Sequence, residues 1–458
     1  MGAGMKKGFK KIDGIKKVPG SRAKEWVKRD EQVISKSYTR SYPLVAESGE
    51  GAYVTDVDQF EYLDFTSGLG TCVTGHCHPD IVKVITDQAK KLIHVSGTDF
   101  YYTSQIQLAE EVASLMPGKE PQRVFFSNSG TEANEAAMKL ARFGTKRQQF
   151  IAFQGAFHGR TMGSLSLTGS KIVQRQSFSP LVPGVTHVPY PNCYRCPINL
   201  KYPSCEIACV DFIKDEVFRT TVPPEEVAAI FVEPIQGEGG YIVPPVDYFK
   251  KLKKLADAFG ILLVTDEVQS GSGRTGKFLA IEHFNVVPDI VTLAKGIASG
   301  MPLGITVSKA SLMTWGPGAH ASTFGGHPIS CVASLKTLEL LKKGLMDNAA
   351  TVGNYILGRL NQMKDKHRLI GDVRGIGLMI GIELVKDKET KEKAIEERNG
   401  VIQACFQKGL MVVGCGQNTV RFIPPLVITK EDADIALGLF EESLTEIEKK
   451  PAKLKEVV

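Results

Sequence analysis

The sequence predicts an α/β protein, with a large domain on a mostly parallel sheet and a smaller α+β domain after it. Two patterns carry this. Between Val124 and Leu293, short apolar runs alternate with stretches of helical period, as in successive strand–helix–strand units. After about Gly326 the alternation stops, and helical stretches surround a few strand-like runs. The length of 458 residues and 43% hydrophobic content allow one large core and a second domain.

Residues 1–65 read as a basic arm followed by a short hairpin. Residues 66–326 read as the large domain. Its strand-like runs are Val124–Phe126, Ile151–Phe153, Ala229–Val232, Ile261–Thr265 and Ile290–Leu293. In Thr131–Phe143, Ala133, Ala136, Ala137, Leu140 and Ala141 recur at helical spacing and form one face. Phe249–Phe259 is a second helix, stopped by Gly260. Residues 327–458 read as the small domain. It has a helix over Ser330–Lys343, strand-like runs at Gly375–Leu384 and Thr419–Pro424, and a final helix over Lys430–Glu448.

Charge excludes some functions. The net charge is +6, and Met1–Glu31 alone holds ten basic and four acidic residues. The rest of the chain is therefore neutral overall, which argues against a broad nucleic-acid surface. The arm itself reads as a solvated segment. No apolar stretch is long enough to span a membrane. The arm has no apolar core like a secretory signal, and it is Lys- and Gly-rich rather than Arg- and Ser-rich, so the chain is expected to be cytoplasmic.

Four segments stand at predicted strand ends, where open α/β sheets bind ligands. Ser127–Asn134 opens the Ala-faced helix. Its small residues leave amides free for a phosphate, and Ser129 and Thr131 add hydroxyls. An ordinary helix cap explains it equally well. Asp266 ends an apolar run and could keep a pyridinium nitrogen protonated; a capping or metal-binding Asp is the plainer reading. Lys295 ends another strand. There an amine of lowered basicity can condense with an aldehyde, whereas a snorkelling surface lysine is the alternative. In Phe153–Arg160, Phe157 could stack on a flat ring or simply pack in the core, and Arg160 could bind a carboxylate.

Together these segments resemble the class III aminotransferases, pyridoxal 5′-phosphate (PLP) enzymes of the type I fold. The resemblance runs from about Ser35 to the last helix. It is carried by Gly75–Pro79, Asn128–Glu135, Phe157–Thr161, Glu233–Gly240, Asp266–Gln269, Leu293–Gly296, Ser322–Pro328 and Arg374–Gly377, in the family's order. It implies a large domain of the seven-stranded type. It implies that Lys295 carries the cofactor and moves the proton, and that Asp266 partners the pyridine nitrogen. Gln269 would contact the ring hydroxyl, and Phe157 would stack on the ring. Ser129, Gly130 and Thr131 would cradle the phosphate. His158 and Glu233 fall among the cofactor-binding residues. Thr323 would reach the phosphate of a neighbouring subunit, which implies a homodimer or a larger assembly.

The same resemblance assigns Arg421 to an α-carboxylate, which a bidentate guanidinium suits. Glu238 is the gate that pairs with Arg421 when the substrate has none, and Arg160 binds a distal carboxylate. Leu69 stands where ornithine-type members have a tyrosine. An aliphatic residue there resembles the 4-aminobutyrate-specific members. The expected reaction moves the ω-amino group of 4-aminobutyrate to 2-oxoglutarate. An ornithine or lysine ω-aminotransferase, or an amino-acid racemase on the same scaffold, is the alternative.

Three other signals were weighed. Gly271–Lys277 fits Gly-x4-Gly-Lys, but Phe278 stands where a P-loop needs Ser or Thr. It reads as a glycine-rich active-site loop. His76, His78 and His158 read as loop hydrogen-bonding groups rather than metal ligands. Cys193, Cys196, Cys205 and Cys209 form a local cluster outside standard zinc spacing. Reduced thiols, disulfides and a structural metal all remain open for it.

Overall fold

The computed structural model describes residues 18–449. Most of the basic arm, including Lys6, Lys7, Lys10, Lys11, Lys16 and Lys17, lies outside the described residues.

The N-terminal region is more elaborate than the expected hairpin. A helix, Ser21–Val33, precedes a three-stranded antiparallel meander of β1 (Ala46–Glu50), β2 (Tyr53–Asp56) and β3 (Glu61–Asp64). The turn between β2 and β3 is built on Asp56. Its Oδ1 accepts the amides of Asp58 and Phe60, each at 2.9 Å.

The central sheet has seven strands. They are β4 (Gln122–Ser127), β5 (Gln149–Phe153), β6 (Val185–Val188), β7 (Val227–Val232), β8 (Leu262–Asp266), β9 (Ile290–Leu293) and β10 (Gly304–Lys309). Their spatial order is β4-β10-β9-β8-β7-β5-β6. Only β10 runs antiparallel to its neighbours. The centre is apolar on both faces, as a covered parallel strand must be, and every residue of β7 is buried. The helix Gly130–Thr145 packs on β9 and β10. Ala133, Ala136, Ala137 and Ala141 are fully buried, and their small side chains let the helix approach closely. Filling such a face with larger side chains would cost about 1–3 kcal/mol each in overpacking.

The C-terminal region contributes an antiparallel sheet of β11 (Ile370–Ile376), β12 (Met379–Leu384), β14 (Val413–Cys415) and β15 (Thr419–Phe422). Gly375–Leu384, expected as one strand, is the greater part of the β11–β12 hairpin. Its turn is disguised because Leu378 is fully buried. The short strand β13 (Leu410–Met411) instead pairs in parallel with β3. The helix expected at Ser330–Lys343 covers Pro328–Leu340, and the final helix covers Lys430–Lys449.

Candidate active site

The carboxyl ends of β4, β7, β8 and β9 open onto one cavity of about 420 Å³, with the incoming end of β10 beside them. Ser129, Gly130, Thr131, Phe157, His158, Arg160, Glu233, Asp266, Gln269 and Lys295 all line it. Ser129 caps the helix Gly130–Thr145 in extended conformation, so the first-turn amides lie at the cavity edge. The Thr131 hydroxyl is turned away from a free role, with Thr161 Oγ1 at 2.9 Å and Ser164 Oγ at 2.5 Å. Two glycines permit this crowding. A Cβ on Gly159, at φ 140°, would stand 2.2 Å from Thr131 Oγ1, and one on Gly304 would stand 2.2 Å from Ser129 O.

Asp266 is buried at the end of β8 and held by three donors. Asn134 Nδ2 and His158 Nδ1 each lie 2.7 Å from Oδ2, and the Val268 amide lies 3.0 Å from Oδ1. Thr292 Oγ1 donates to Asn134 Oδ1 at 2.9 Å, which fixes the amide's orientation. Burial alone would lower the basicity of His158. The hydrogen bond and charge of Asp266 outweigh it, and the imidazole pKa is raised. Glu233 accepts the amides of Phe157 and Gly237, both at 3.0 Å. Burial, reinforced by the Asp266 charge, pushes its carboxyl up to about 7.

Lys295 follows β9 in a left-handed conformation, φ 47°, which a non-glycine residue adopts only under constraint. Burial holds its amine below the usual range, against the opposing charge of Asp266. A neutral amine is the nucleophilic form.

Glu238 and Arg421 are not in the cavity lining, but the charges of both act on Lys295. Arg421, on β15, is 5% exposed and donates from Nη1 to Glu238 Oε1 at 2.7 Å. Lys171 Nζ lies 3.0 Å from the other carboxylate oxygen. Burial would raise the Glu238 carboxyl, but Arg421 and Lys171 together hold it at about 2. The loop bearing Glu238 is tied to the C-terminal sheet. Arg374 donates to the Gly240 carbonyl, and the Gly416 amide to the Glu238 carbonyl.

Two predicted residues stand elsewhere in this chain. Leu69, at φ 64° and 47% exposed, is outside the lining. Thr323 is exposed and also outside it. Sequence reasoning missed Asn134 and Lys171 as functional positions. Asn134 was detectable as the polar residue on an otherwise alanine-rich buried face. Nothing in the sequence marks Lys171, which meets Glu238 from a loop 67 positions away.

The other weighed signals resolve locally. His76 Nε2 lies 2.8 Å from Asp64 Oδ2, and His78 caps the helix Pro79–Lys91. Lys277 donates to the Glu282 carbonyl, and Arg274 is buried with donors on the Leu378 and Pro424 carbonyls. Cys193, Cys196, Cys205 and Cys209 are free thiols lining a cavity of about 20 Å³. Among the described residues, no three His, Cys, Asp or Glu side chains are arranged to hold a metal ion. No described helix is long and apolar enough to cross a membrane.

The family profile for "Aminotransferase class-III" matches residues 34–444. The chain belongs to the class III aminotransferases. Leucine/methionine racemase of Thermococcus litoralis is 41% identical over 430 residues, covering 93% of this chain and 96% of that protein. A probable 4-aminobutyrate aminotransferase of Bacillus subtilis is 35% identical over 424 residues, covering 92% and 97%. The fold matches an amine transaminase from an uncultivated Pseudomonas species in a PLP-bound form. That TM-score is 0.83, with 30% identity over 91% of this chain and 98% of that one. As a class III aminotransferase, the chain is a PLP-dependent enzyme of the type I fold. The cavity fits that cofactor. It offers a helix N-terminus for a phosphate, a buried carboxylate beyond a strand end, and a buried Gln269 Oε1 with no protein partner.

Proposed function

We propose that the enzyme transfers the ω-amino group of 4-aminobutyrate, or of a similar ω-amino acid, to 2-oxoglutarate. One observation carries this reading: the Glu238–Arg421 ion pair, 2.7 Å long, between a buried guanidinium and a half-buried carboxylate. An ω-amino acid presents no carboxylate beside the reacting carbon, so Arg421 needs a partner of the protein's own. 2-Oxoglutarate brings its own α-carboxylate and can take that place. Arg160, exposed at the rim of the cavity, is placed for the distal carboxylate of either substrate.

In this reading Lys295 would carry the cofactor, Asp266 would partner its ring nitrogen, and Gln269 its ring hydroxyl. Phe157 would stack on the ring, and Ser129, Gly130 and Thr131 would hold the phosphate. His158 and Glu233 support Asp266 and the Phe157 loop. The chemistry PLP supplies is an aldehyde that joins the donor's nitrogen and a ring that withdraws electrons from the adjoining carbon. Lys295 Nζ, kept weakly basic by burial, would be the group that takes the proton from the carbon bearing nitrogen and gives it back. Asp266, fixed by Asn134 and His158, would stabilise the protonated ring nitrogen that makes this removal feasible. A second copy of the chain supplies Thr323, so the working unit is a homodimer or a multiple of it.

Racemisation of an α-amino acid is the second reading, favoured by the 41% identity to a protein named leucine/methionine racemase. It needs an acid that returns the proton on the opposite face. The test is spectral. Holoenzyme mixed with 4-aminobutyrate alone should lose its cofactor absorption band, and 2-oxoglutarate should restore it. A band indifferent to 4-aminobutyrate, with optical rotation of L-leucine lost in the absence of any 2-oxo acid, would replace this reading with the racemase.

A further inference from the structure

Glu238 is held twice, by cations that differ in freedom. Arg421 sits on a strand inside the C-terminal sheet and lies 5.9 Å from the centre of the Tyr241 ring. Lys171 stands on a loop, outside the cavity lining, with its side chain 39% exposed. Its backbone is nonetheless anchored. Gly169 donates to the Ala156 carbonyl at 2.8 Å, and Ser170 Oγ to Gln174 Oε1 at 2.6 Å. Arg175 Nη1 holds the Leu165, Ser166 and Thr168 carbonyls. The result is a fixed base carrying a flexible four-carbon arm with a charge at its tip.

An α-carboxylate that takes Arg421 must displace Glu238 Oε1. A buried carboxylate left without a cation is strongly disfavoured. Lys171 already holds the other oxygen, and its arm can follow the carboxylate as it turns. Building on the gate described above, we propose that Lys171 is the pivot of that gate: it keeps Glu238 charged and paired while Arg421 is occupied by substrate. Lys171 is thus a positioning residue that sets the balance between substrates with and without an α-carboxylate, while touching neither.

The pivot makes a prediction that simple attraction between Lys171 and an anion does not. Glutarate is a dicarboxylate with no amino or oxo group, so it binds without reacting. Calorimetry on the holoenzyme should show Lys171→Gln raising the Kd for glutarate about tenfold or more, with Lys171→Arg restoring it. In a Glu238→Gln background, where no carboxylate needs a cation, Lys171→Gln should change Kd less than about twofold. An equal rise in both backgrounds would mean general anion attraction and overturn the pivot. No rise in either background would do the same, and so would a wild-type enzyme that fails to bind glutarate. Failure of 4-aminobutyrate to react with the wild type would remove the donor assignment alone, because the glutarate cycle involves no donor.

Discussion

Two charged clusters flank the active-site cavity, and they are built on opposite plans. The cluster around Asp266 lies within the central sheet and its helix. Its carboxylate has three donors, Thr292 Oγ1 donates to the Asn134 side chain from behind, and the His158 backbone amide donates to Thr168 Oγ1. The cluster around Glu238 is assembled from three separate pieces, the loop after β7, strand β15 and the loop bearing Lys171, through two ion contacts. The first cannot rearrange without breaking several bonds at once. The second can exchange one partner while keeping the other. Permanence suits a group that supports a cofactor through every turnover, and exchange suits one that must accept two kinds of substrate.

The largest test of this contrast removes the amine that both clusters serve. Lys295→Ala should lower turnover at least about a thousandfold while PLP still binds, measured by rate and by cofactor absorption. Retained turnover would sink the assignment of Lys295.

The two glutamates sharpen the contrast through pH. Glu233, raised to about 7 by burial, contributes stability that is full below its unfolded value near 4.5 and lost as pH rises through 7. The shift corresponds to roughly 3 kcal/mol at most. Glu238, lowered to about 2, contributes stability present above 4.5 and lost only as pH falls toward 2. Between pH 4.5 and 7 the melting of the holoenzyme should therefore follow Glu233 together with Glu267, which burial also raises to about 7, and Glu233→Gln should make its pH dependence shallower. An unchanged slope in that variant would place the titration elsewhere.

Asp266→Asn keeps the shape but not the charge of the rigid cluster. We expect about a hundredfold loss of half-reaction rate, read by stopped-flow absorption. The smallest effect belongs to the exchangeable cluster. Glu238→Gln should shift the kcat/KM ratio about tenfold from 4-aminobutyrate toward glutamate, because Arg421 is then freed for an α-carboxylate. A ratio that stays put would mean the pair is not a gate.

The same contrast decides what the sequence discloses. Asp266 and Lys295 are legible because each is a charge at the end of an apolar run. β7 is legible because helices cover both its faces. β10 was missed, since Thr306 and Ser308 alternate with Ile305 and Val307 and read as solvent-facing. In fact Thr306 is buried and donates to the Ala133 carbonyl at 2.8 Å. β6 was missed because it is only four residues long and carries His187. The gate is legible only in part. Glu238 and Arg421 carry a family resemblance, but their meeting depends on how two sheets dock, and Lys171 enters through tertiary structure alone.

The pairing of β13 with β3 has a consequence for how the enzyme is made. Leu63 donates to the Gly409 carbonyl, Ile423 to the Phe65 carbonyl, and Ser67 Oγ to the Ile423 carbonyl. The segment leading to Leu69 therefore waits for residues more than 340 positions later in the chain. On a ribosome adding about 5–20 residues per second, the meander's open edge stays unpaired for tens of seconds. The central sheet can form during that interval, but the segment that leads to Thr71, on the cavity wall, is tethered only once residues 409–423 have emerged.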